Sequence, residues 1–447
     1  MIAQQLGRLA KHSAIYGLGA VVSRLIGVFL LPVVTRYLTR SELGAVDTLI
    51  ALSVVLVIVF RAGISMAFFR FYFDAEDEAG RTRVVRTSFW FTMAAATFGL
   101  IAGWALAGPI SEALFSTHSN ADLVRAAFVL LWAQMNYEQL TSLFRVEERS
   151  TAFVAASVAN VLITVGATVL LVVGLHKGPT GAVVGNFIGT LTVYVALLGY
   201  RRYQLGLQFS RDLLRQMNHF GMPLVPSALA LWAINFIDRI FIAGYKGQAE
   251  VGVYSVAVRI SSAIVFLMIA FRLAWPAFAY SIEDDREAKR AYSYVLTYLL
   301  FVCCWLSVAL GVLAPWLVDL LAPKHSFHRA ADAVALLSFA ATAYAGYTVV
   351  AIGIGRARQT QFNWVVSGAA AAINVVLNVI LIPPYGMIGA AISTVVAYVA
   401  LFLLMVLNSQ RVYPVAYQWR RVLILASVAI GLTVICLLYT SPSPRDS

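Results

Sequence analysis

Four charged residues lie well inside long apolar stretches of the sequence: Arg24, Asp238, Arg239 and Arg259. A charge at the centre of a membrane-spanning helix costs about 2.5 to 3.5 kcal/mol on insertion scales, so four such charges facing lipid would cost roughly 10 kcal/mol or more. That is comparable with the whole stability of a domain. We therefore expect these charges to face a protein interior or a wet cavity.

The neighbours of Arg24 at helical spacing support an inward orientation. Gly17, Ala20 and Gly27 lie seven and four residues before it and three residues after it, so they form one stripe of small residues around it. The bulkier side chains of the same helix are then left to face lipid.

Arg259 lies on a polar stripe, because Ser255 and Ser262 lie four residues before it and three residues after it. Such a face on an otherwise apolar helix suits water or a polar ligand. We predict that the polar residues placed within spans in this way line a substrate-binding cavity. They are Arg24, Asp238, Arg239, Ser255, Arg259 and Ser262.

A structural interpretation of the same charges is also open. Arg24 or Arg259 pairs with Asp238 to hold two helices together, while Arg239 extends along its aliphatic stem to the outer interface. The two interpretations are compatible if the pair opens during transport.

Other polar residues within the spans are weaker candidates for function. Asp47 and Glu138 lie near span ends and are secondary candidates for a coupling-ion site. Asn160 and Asn374 occupy matching positions in two spans, and we expect them to form hydrogen bonds between helices rather than to bind a ligand.

The sequence contains no motif of membrane catalysis. It has no His-Glu-x-x-His, no pair of carboxylates at helical spacing and no P-loop lysine motif. Cys303, Cys304 and Cys436 lie in apolar runs and are expected to be small core residues rather than disulfide or metal ligands. We expect no enzymatic activity and no cofactor. Because the sequence lacks the P-loop lysine motif for ATP hydrolysis, any energy for transport must come from a gradient or from consumption of the product.

The composition indicates the class of protein. Of 447 residues, 61% are hydrophobic and only 12% are charged, with a mean hydropathy of +0.81, whereas soluble domains have about 25% charged residues. A span needs roughly 20 residues. The apolar stretches predict an all-α polytopic membrane protein with spans at 13–34, 44–61, 87–108, 123–143, 152–173, 180–200, 220–243, 252–274, 291–313, 330–353, 362–382 and 386–407, and a partial thirteenth span from about 420.

The basic residues predict the orientation of these spans. The net charge is +12, and with the N-terminus in the cytoplasm 21 Lys and Arg residues lie on the inner side and six on the outer side. Cytoplasmic loops carry this excess in membrane proteins. The positive charge is thus explained by topology, and we expect no nucleic-acid partner.

The sequence repeats at an offset of about 208 residues. Tyr37, Glu42 and Gly44 recur as Tyr245, Glu250 and Gly252, the Arg-x-Thr-x-Phe motif from Arg149 recurs from Arg358, and Gly-x-x-Gly-Ala occurs at Gly178 and Gly386. Each copy contains six spans, and because six is even both copies have the same orientation. We expect two parallel six-helix lobes related by a pseudo-two-fold axis along the membrane normal, which enclose a cleft that opens to each side in turn.

The repeat also predicts the domain boundaries. Residues 201–219 contain four arginines together with Leu213, Leu214 and Met217, a pattern that fits either a helix on the membrane surface or a solvated linker. The last nine residues resemble a translated vector scar, which would truncate the thirteenth span and leave a fourteenth missing. The predicted segments are an N-lobe at 1–200, a cytoplasmic linker at 201–219, a C-lobe at 220–407, a truncated helix at 418–438 and a tail at 439–447.

Several motifs resemble polysaccharide flippases (Wzx type) of the multidrug/oligosaccharidyl-lipid/polysaccharide exporter (MOP) superfamily. They are FGMPLVPSALALW from Phe220, followed by Asp238-Arg239 and by EVGVYSVA from Glu250, GISMAFFRFY from Gly63, and the two Gly-x-x-Gly-Ala motifs. The resemblance covers residues 8 to about 435 and is not specific to one sugar.

This resemblance implies a protein of the bacterial inner membrane that moves a polyprenyl-pyrophosphate-linked oligosaccharide to the outer leaflet, for O-antigen or exopolysaccharide assembly. It implies that Arg24 and Arg259 line the cavity with positive charge, which suits a diphosphate headgroup. The implied partners are the lipid-linked substrate, the bilayer, a coupling ion (proton or sodium), and the polysaccharide polymerase and chain-length machinery. The family pattern has fourteen spans, which this sequence does not show.

Three other functions are weighed against this one. A cation-coupled multidrug exporter or a flippase for the peptidoglycan lipid precursor would belong to the same superfamily. A drug-cation exporter would favour interior carboxylates, and only Asp238 is placed deeply. A polysaccharide polymerase or ligase would need a large outer loop, whereas the longest predicted outer loop has about 15 residues, near Ala314 to His328.

Overall fold

The computed structural model describes residues 30–202, 205–357 and 363–440. Arg24 with most of the first predicted span, the second copy of the Arg-x-Thr-x-Phe motif from Arg358, and the tail from residue 441 lie outside these described residues.

The described residues form seventeen α-helices joined by short turns, and they contain no strand. The helices are α1 Leu31–Tyr37, α2 Arg40–Arg61, α3 Ile64–Asp74, α4 Glu78–Ala105, α5 Ala107–Phe115, α6 Ala121–Val146, α7 Ser150–Val169, α8 Gly178–Arg201, α9 Arg211–Gly221, α10 Val225–Lys246, α11 Gln248–Ser261, α12 Ala263–Ser281, α13 Asp285–Leu321, α14 Ala331–Arg356, α15 Asn363–Tyr385, α16 Met387–Val412 and α17 Trp419–Thr440. A π-helical turn at Leu170–Gly174 extends α7, and 3₁₀ turns at Met222–Leu224 and His325–Ala330 precede α10 and α14.

The lengths of these helices agree with a polytopic membrane protein. Within the described part of the chain, ten helical stretches are long and apolar enough to cross a membrane, or eleven if α11 and the first part of α12, bent by 44°, form one span. Helix α6 has 26 residues and is more polar, because it carries Gln134, Asn136, Glu138 and Gln139. Each predicted span from the second to the thirteenth coincides with a helix, which confirms the all-α membrane class.

Two compact units make up the described chain. One contains residues 30–232 together with 246–252, and the other contains residues 233–245 together with 253–440. We call them the N-terminal unit and the C-terminal unit.

Close packing of α7 against α8 depends on small residues in the N-terminal unit. A Cβ atom added to Gly185 or Gly189 would overlap Thr168 or Thr164 of the facing helix. This Gly-x-x-x-Gly spacing lets the two backbones approach closely, which is how helices associate where lipid supplies no hydrophobic driving force.

Arg201, the last residue of α8, closes one end of the N-terminal unit. Its guanidinium lies 2.7 Å from the carboxylate of Glu147 and stacks 4.6 Å from the centroid of the Phe144 ring. The side chain is only 3% exposed. Arg201 therefore fixes α8 to the end of α6 and does not belong to the solvated linker in which the sequence placed it.

Within the linker between residues 201 and 219, the apolar face of the helical part contacts protein rather than solvent or lipid. It contains helix α9, which packs on α3 and α4. Met217 is completely buried, and Leu213 and Leu214 pack beside the same core. The apolar side chains of α9 therefore contact protein.

The C-terminal unit is built around α14 and α16, with α13 and α15 packed beside them. The Ser307 and Thr342 hydroxyls bond at 2.8 Å between α13 and α14. Arg356 donates to the carbonyl oxygens of Ala279 and Ile282, 3.1 and 2.9 Å away, and so satisfies the free carbonyl groups at the end of α12.

The connection after α13, predicted to be an outer loop, is shorter than expected. Helix α13 continues through Pro315 to Leu321, and the 3₁₀ turn that precedes α14 begins at His325. The irregular connection is therefore three residues, 322–324, instead of the 15 expected between Ala314 and His328, because the apolar run continues as helix beyond the proline.

Residues of the repeat meet inside the N-terminal unit. A Cβ atom on Gly44 would overlap the carbonyl oxygen of Gln248, and one on Gly252 would overlap that of Arg40. The Thr48 hydroxyl donates to Oε1 of Gln248 at 2.9 Å. The two glycines that the repeat relates thus permit the starts of α2 and α11 to pack backbone to backbone.

A second glycine contact joins α3 to α9. Gly63 has φ +77°, in the region that favours glycine, and Cβ atoms on Gly63 and Gly221 would each overlap the other residue's backbone. The turn at Ala62 and Gly63 ends α2 and redirects the chain into α3.

We predict that Gly63→Ala lowers the free energy of unfolding by about 1 to 3 kcal/mol from backbone strain, with a further loss from the overlap with Gly221. The measurement is thermal unfolding in detergent followed with a thiol-reactive dye, since Cys303 and Cys304 are buried. The control is Gly166→Ala, where nothing lies within 4 Å, which should be neutral or stabilising. Equal melting temperatures for the two variants would contradict the prediction.

Candidate transport site

An ion pair between adjacent residues lies deep inside the C-terminal unit. Nη1 of Arg239 is 3.1 Å from Oδ1 of Asp238, and the Arg239 backbone N–H donates to the same oxygen at 2.8 Å. Asp238 is 2% exposed and Arg239 is 6% exposed. Arg239 therefore does not reach the outer interface, and the interpretation in which it does so is wrong.

Asn235, which is exposed, and the buried Tyr254 and Tyr398 complete this group. We call Asp238, Arg239, Asn235, Tyr254 and Tyr398 the Asp238 cluster. The Tyr254 hydroxyl donates to Oδ2 of Asp238 at 2.5 Å, and Nη1 of Arg239 donates to the Asn235 carbonyl oxygen at 2.8 Å. The Tyr398 hydroxyl donates to Oδ1 of Asn235 at 2.7 Å. The cluster has one charge of each sign and joins α10, α11 and α16.

This arrangement decides what Asp238 can do. Both of its oxygens accept hydrogen bonds, and a guanidinium neutralises its charge. A carboxylate satisfied in this way holds helices together and is a poor site for a cationic drug, because binding would require the existing pair to separate in a low-dielectric interior. Asp238 pairs with Arg239, its neighbour in sequence. It does not pair with Arg259, so the ion pair between Asp238 and Arg259 that the sequence suggested is not formed.

The polar stripe on α11 is divided between two environments. Ser255 is completely buried, and its hydroxyl makes no hydrogen bond within the described chain. Arg259 is half-buried, and the Ser262 hydroxyl donates to the Arg259 carbonyl oxygen at 2.5 Å. Arg259 and Ser262 lie where α11 bends by 44° into α12. Arg259 thus lies beside a break in its span, and Ser262 satisfies a carbonyl group there.

A second ion pair lies within the spans of the N-terminal unit. Nη1 of Arg61 is 2.8 Å from Oε2 of Glu138, and Nη2 donates to the Met135 carbonyl oxygen at 2.9 Å. Gln134 donates to the other oxygen of Glu138 at 3.1 Å. This pair was not predicted from the sequence, although the polar face of α6, where Gln134 and Glu138 are four residues apart, indicates a polar partner there.

The two asparagines at matching positions differ in their contacts. Asn160 donates to the Thr190 hydroxyl at 3.3 Å, between α7 and α8, which confirms the expected interhelical bond. Asn374 instead accepts a hydrogen bond at 3.1 Å from Asn378 of its own helix, and both asparagines are completely buried. The interhelical bond predicted for Asn374 is thus replaced by a bond within α15.

Asp47, the remaining candidate for a coupling-ion site, is buried in α2. Within the described residues, no group of three or more His, Cys, Asp or Glu side chains has metal-binding geometry.

We predict that Asp238→Asn costs about 3 to 5 kcal/mol of stability, because it leaves the Arg239 charge buried without its counter-charge. The double variant Asp238→Asn with Arg239→Gln should recover most of that loss. Melting temperatures measured with the thiol-reactive dye test this. The matched control is Asp122→Asn, which breaks the exposed pair with Arg125 (2.8 Å) and should cost less than about 1 kcal/mol. A double variant as unstable as the single one would contradict the pairing argument.

The fold is similar to that of known transporters. The lipid II flippase MurJ has a TM-score of 0.76 at 13% identity, over 96% of this chain and 93% of that chain. A multidrug resistance MATE family transporter of the MOP superfamily, in an inward-facing conformation, has a TM-score of 0.73 at 14% identity, over 93% of this chain and 96% of that chain. At these identities the likeness establishes the fold alone.

Sequence comparisons give two further matches. An uncharacterized membrane protein of Methanocaldococcus jannaschii is 28% identical over 201 residues, which are 42% of this chain and 38% of that protein. The model of a family described as polysaccharide biosynthesis protein matches residues 33–325, most of the chain. This match confirms the polysaccharide family that the motifs indicated, and the fold is similar to that of a transporter of the MOP superfamily. The chain belongs to the polysaccharide biosynthesis protein family.

Proposed function

We propose that this protein is a flippase that moves polyprenyl-pyrophosphate-linked oligosaccharide units from the cytoplasmic to the outer leaflet of the bacterial inner membrane, for O-antigen or exopolysaccharide assembly. In this proposal the protein acts by alternating access, and the chain performs no catalytic step and holds no cofactor. The observation that carries the proposal is that a member of a polysaccharide biosynthesis family consists, in its described part, almost entirely of helices, most of membrane-spanning length. Of the saccharide precursors, those linked to a lipid lie in the membrane, where such helices can bind them.

The charges within the described spans support an anionic substrate. Glu138 and Asp238 are each bonded to an arginine, so neither offers a bare carboxylate to a cationic drug. Arg259 lies half-buried at a bend in its span. A guanidinium binds phosphate oxygens through charge-assisted and often bidentate hydrogen bonds. These features favour a diphosphate headgroup over a drug cation.

We predict that Arg259→Ala and Arg24→Ala each reduce transfer of labelled lipid-linked oligosaccharide in proteoliposomes by roughly 10- to 100-fold, since a hydrogen bond to a charged group contributes about 1.5 to 3 kcal/mol. The matched control is Arg125→Ala, which removes an exposed arginine paired with Asp122 and should leave transfer unchanged. Normal transfer by both cavity variants, with normal insertion, would remove these arginines from the mechanism.

The same proteoliposomes separate the alternative substrates. We expect transfer of the oligosaccharide lipid and neither lipid II flipping nor export of a cationic dye. Dye export without saccharide transfer would make the protein a multidrug exporter. Transfer of lipid II alone would make it a flippase for the peptidoglycan precursor, and either result would overturn the proposal.

Membrane potential is the proposed driving force. Outward movement of an anion is favoured by an inside-negative potential by about 2.3 kcal/mol per charge per 100 mV, and a diphosphate carries about two charges. We predict that a potassium diffusion potential, negative on the loaded side, accelerates transfer and that an ionophore abolishes the acceleration. A rate that responds only to a proton or sodium gradient would replace voltage by a coupling ion. The polysaccharide polymerase and chain-length machinery are the proposed downstream partners.

A further inference from the structure

A groove of about 900 Å³ lies between α3 and α9 in the N-terminal unit. The two helices touch at Gly63 and Gly221, and the groove is lined farther along both helices by Arg70, Arg215 and His219. We call it the α9 groove. The proposed transport cavity does not include it.

The basic wall of the groove follows from the way in which α9 packs. Its apolar face, with Met217, is buried against α3 and α4. The opposite face therefore points outward, and Arg211, Arg215 and His219 lie on it at four-residue spacing, all exposed. Arg215 makes no ion pair or hydrogen bond with any described residue, so its guanidinium is available to a ligand.

The other wall holds its cation in place. Nε of Arg70 is 3.3 Å from Oδ2 of Asp74, and its guanidinium lies 4.7 Å from the centroid of the Phe220 ring. Ring and carboxylate orient Arg70 without burying it, since its side chain is 58% exposed. A positioned guanidinium loses less conformational entropy when it binds an oxyanion.

The lower end of the groove is apolar and belongs to the start of a membrane span. Helix α9 continues through Met222–Leu224 into α10, and residues 211–246 form one span candidate of 36 residues. Such a helix is about 54 Å long, well beyond the roughly 30 Å of hydrocarbon. Met222 and Leu224 are 56% and 40% exposed, about 10 Å along the helix from Arg215. The groove thus has basic residues at one end and, at the other, apolar residues near the start of the apolar span.

The net charge of the groove identifies the ligand. Two guanidinium groups, Arg70 and Arg215, face one carboxylate, Asp74, which leaves a single positive charge when His219 is neutral. A phosphodiester carries one negative charge, whereas the diphosphate of the proposed substrate carries about two. The single charge and the apolar lower end match a phospholipid with a singly charged anionic headgroup.

We propose that the α9 groove binds an anionic glycerophospholipid of the cytoplasmic leaflet, such as phosphatidylglycerol. Its phosphate bonds to Arg215 and Arg70, and its acyl chains lie along Pro223 and Leu224. The bound lipid would fix α9, the segment that connects the last span of the first repeat to the first span of the second. This inference does not depend on which substrate the protein transports.

The test uses the full chain in detergent, titrated with phosphatidylglycerol or with phosphatidylcholine of the same acyl chains, and bound lipid is counted by native mass spectrometry. Wild type should prefer phosphatidylglycerol at least tenfold. Arg70→Gln with Arg215→Gln should abolish the preference. The matched control is Arg286→Gln with Arg290→Gln, which removes two exposed arginines at the start of α13 and should retain it.

Melting temperatures without added lipid verify that the variants fold. If the double variant fails to fold, Arg215→Gln alone serves, because this side chain makes no described contact that the fold would lose. Equal binding of phosphatidylglycerol by wild type and variant would overturn the proposal. Displacement of the lipid by soluble glycerol phosphate at equal concentration, or tighter binding of polyprenyl diphosphate, would overturn it in favour of a free phosphate or of the substrate.

Discussion

A charge in a low-dielectric interior is stable only when another charge and several hydrogen bonds compensate for the lost water. Three arginine–carboxylate pairs in this protein meet that requirement: Arg61–Glu138, Arg201–Glu147 and Arg239–Asp238. In each pair the guanidinium has a further partner, either a backbone carbonyl oxygen or an aromatic ring. The pairs therefore act as fixed points. They hold α2 and α8 to α6 in the N-terminal unit, and within the C-terminal unit the Asp238 cluster joins α10, α11 and α16.

Breaks in the spans accompany two of the arginines. Helix α2 ends at Arg61, where Ala62 and Gly63 adopt left-handed conformations, and α11 bends just after Arg259. A break leaves backbone carbonyl groups without helical partners, and nearby hydroxyl and guanidinium groups are suited to satisfy them. At the second break the Ser262 hydroxyl does so for Arg259. Polar residues at these points allow a span to change direction inside the membrane, which a helix moving between conformations also requires.

The arginines thus fall into two groups with different consequences for function. The arginines of the three pairs named above contribute to structure, and their charge is not available to a ligand. Those with an exposed or half-buried guanidinium, such as Arg215 and Arg259, can meet an anion. The proposed transport function depends on the second group within the spans, and the proposed lipid site depends on it at the cytoplasmic surface. Both proposals rest on the same chemistry, the bidentate binding of phosphate oxygens by arginine.

The sequence by itself determined the membrane class, the positions of most of the long apolar helices and the need to shield the interior charges, because hydropathy and the cost of burying a charge are local properties. It also identified the Asn160 bond. Only the tertiary structure decided which charges pair, since Glu138 and Arg61 are on separate helices and their contact depends on how α2 and α6 pack. The structure alone also showed that the apolar face of α9 contacts protein. Lipid and a protein core are equally apolar, so an amphipathic pattern cannot distinguish between them.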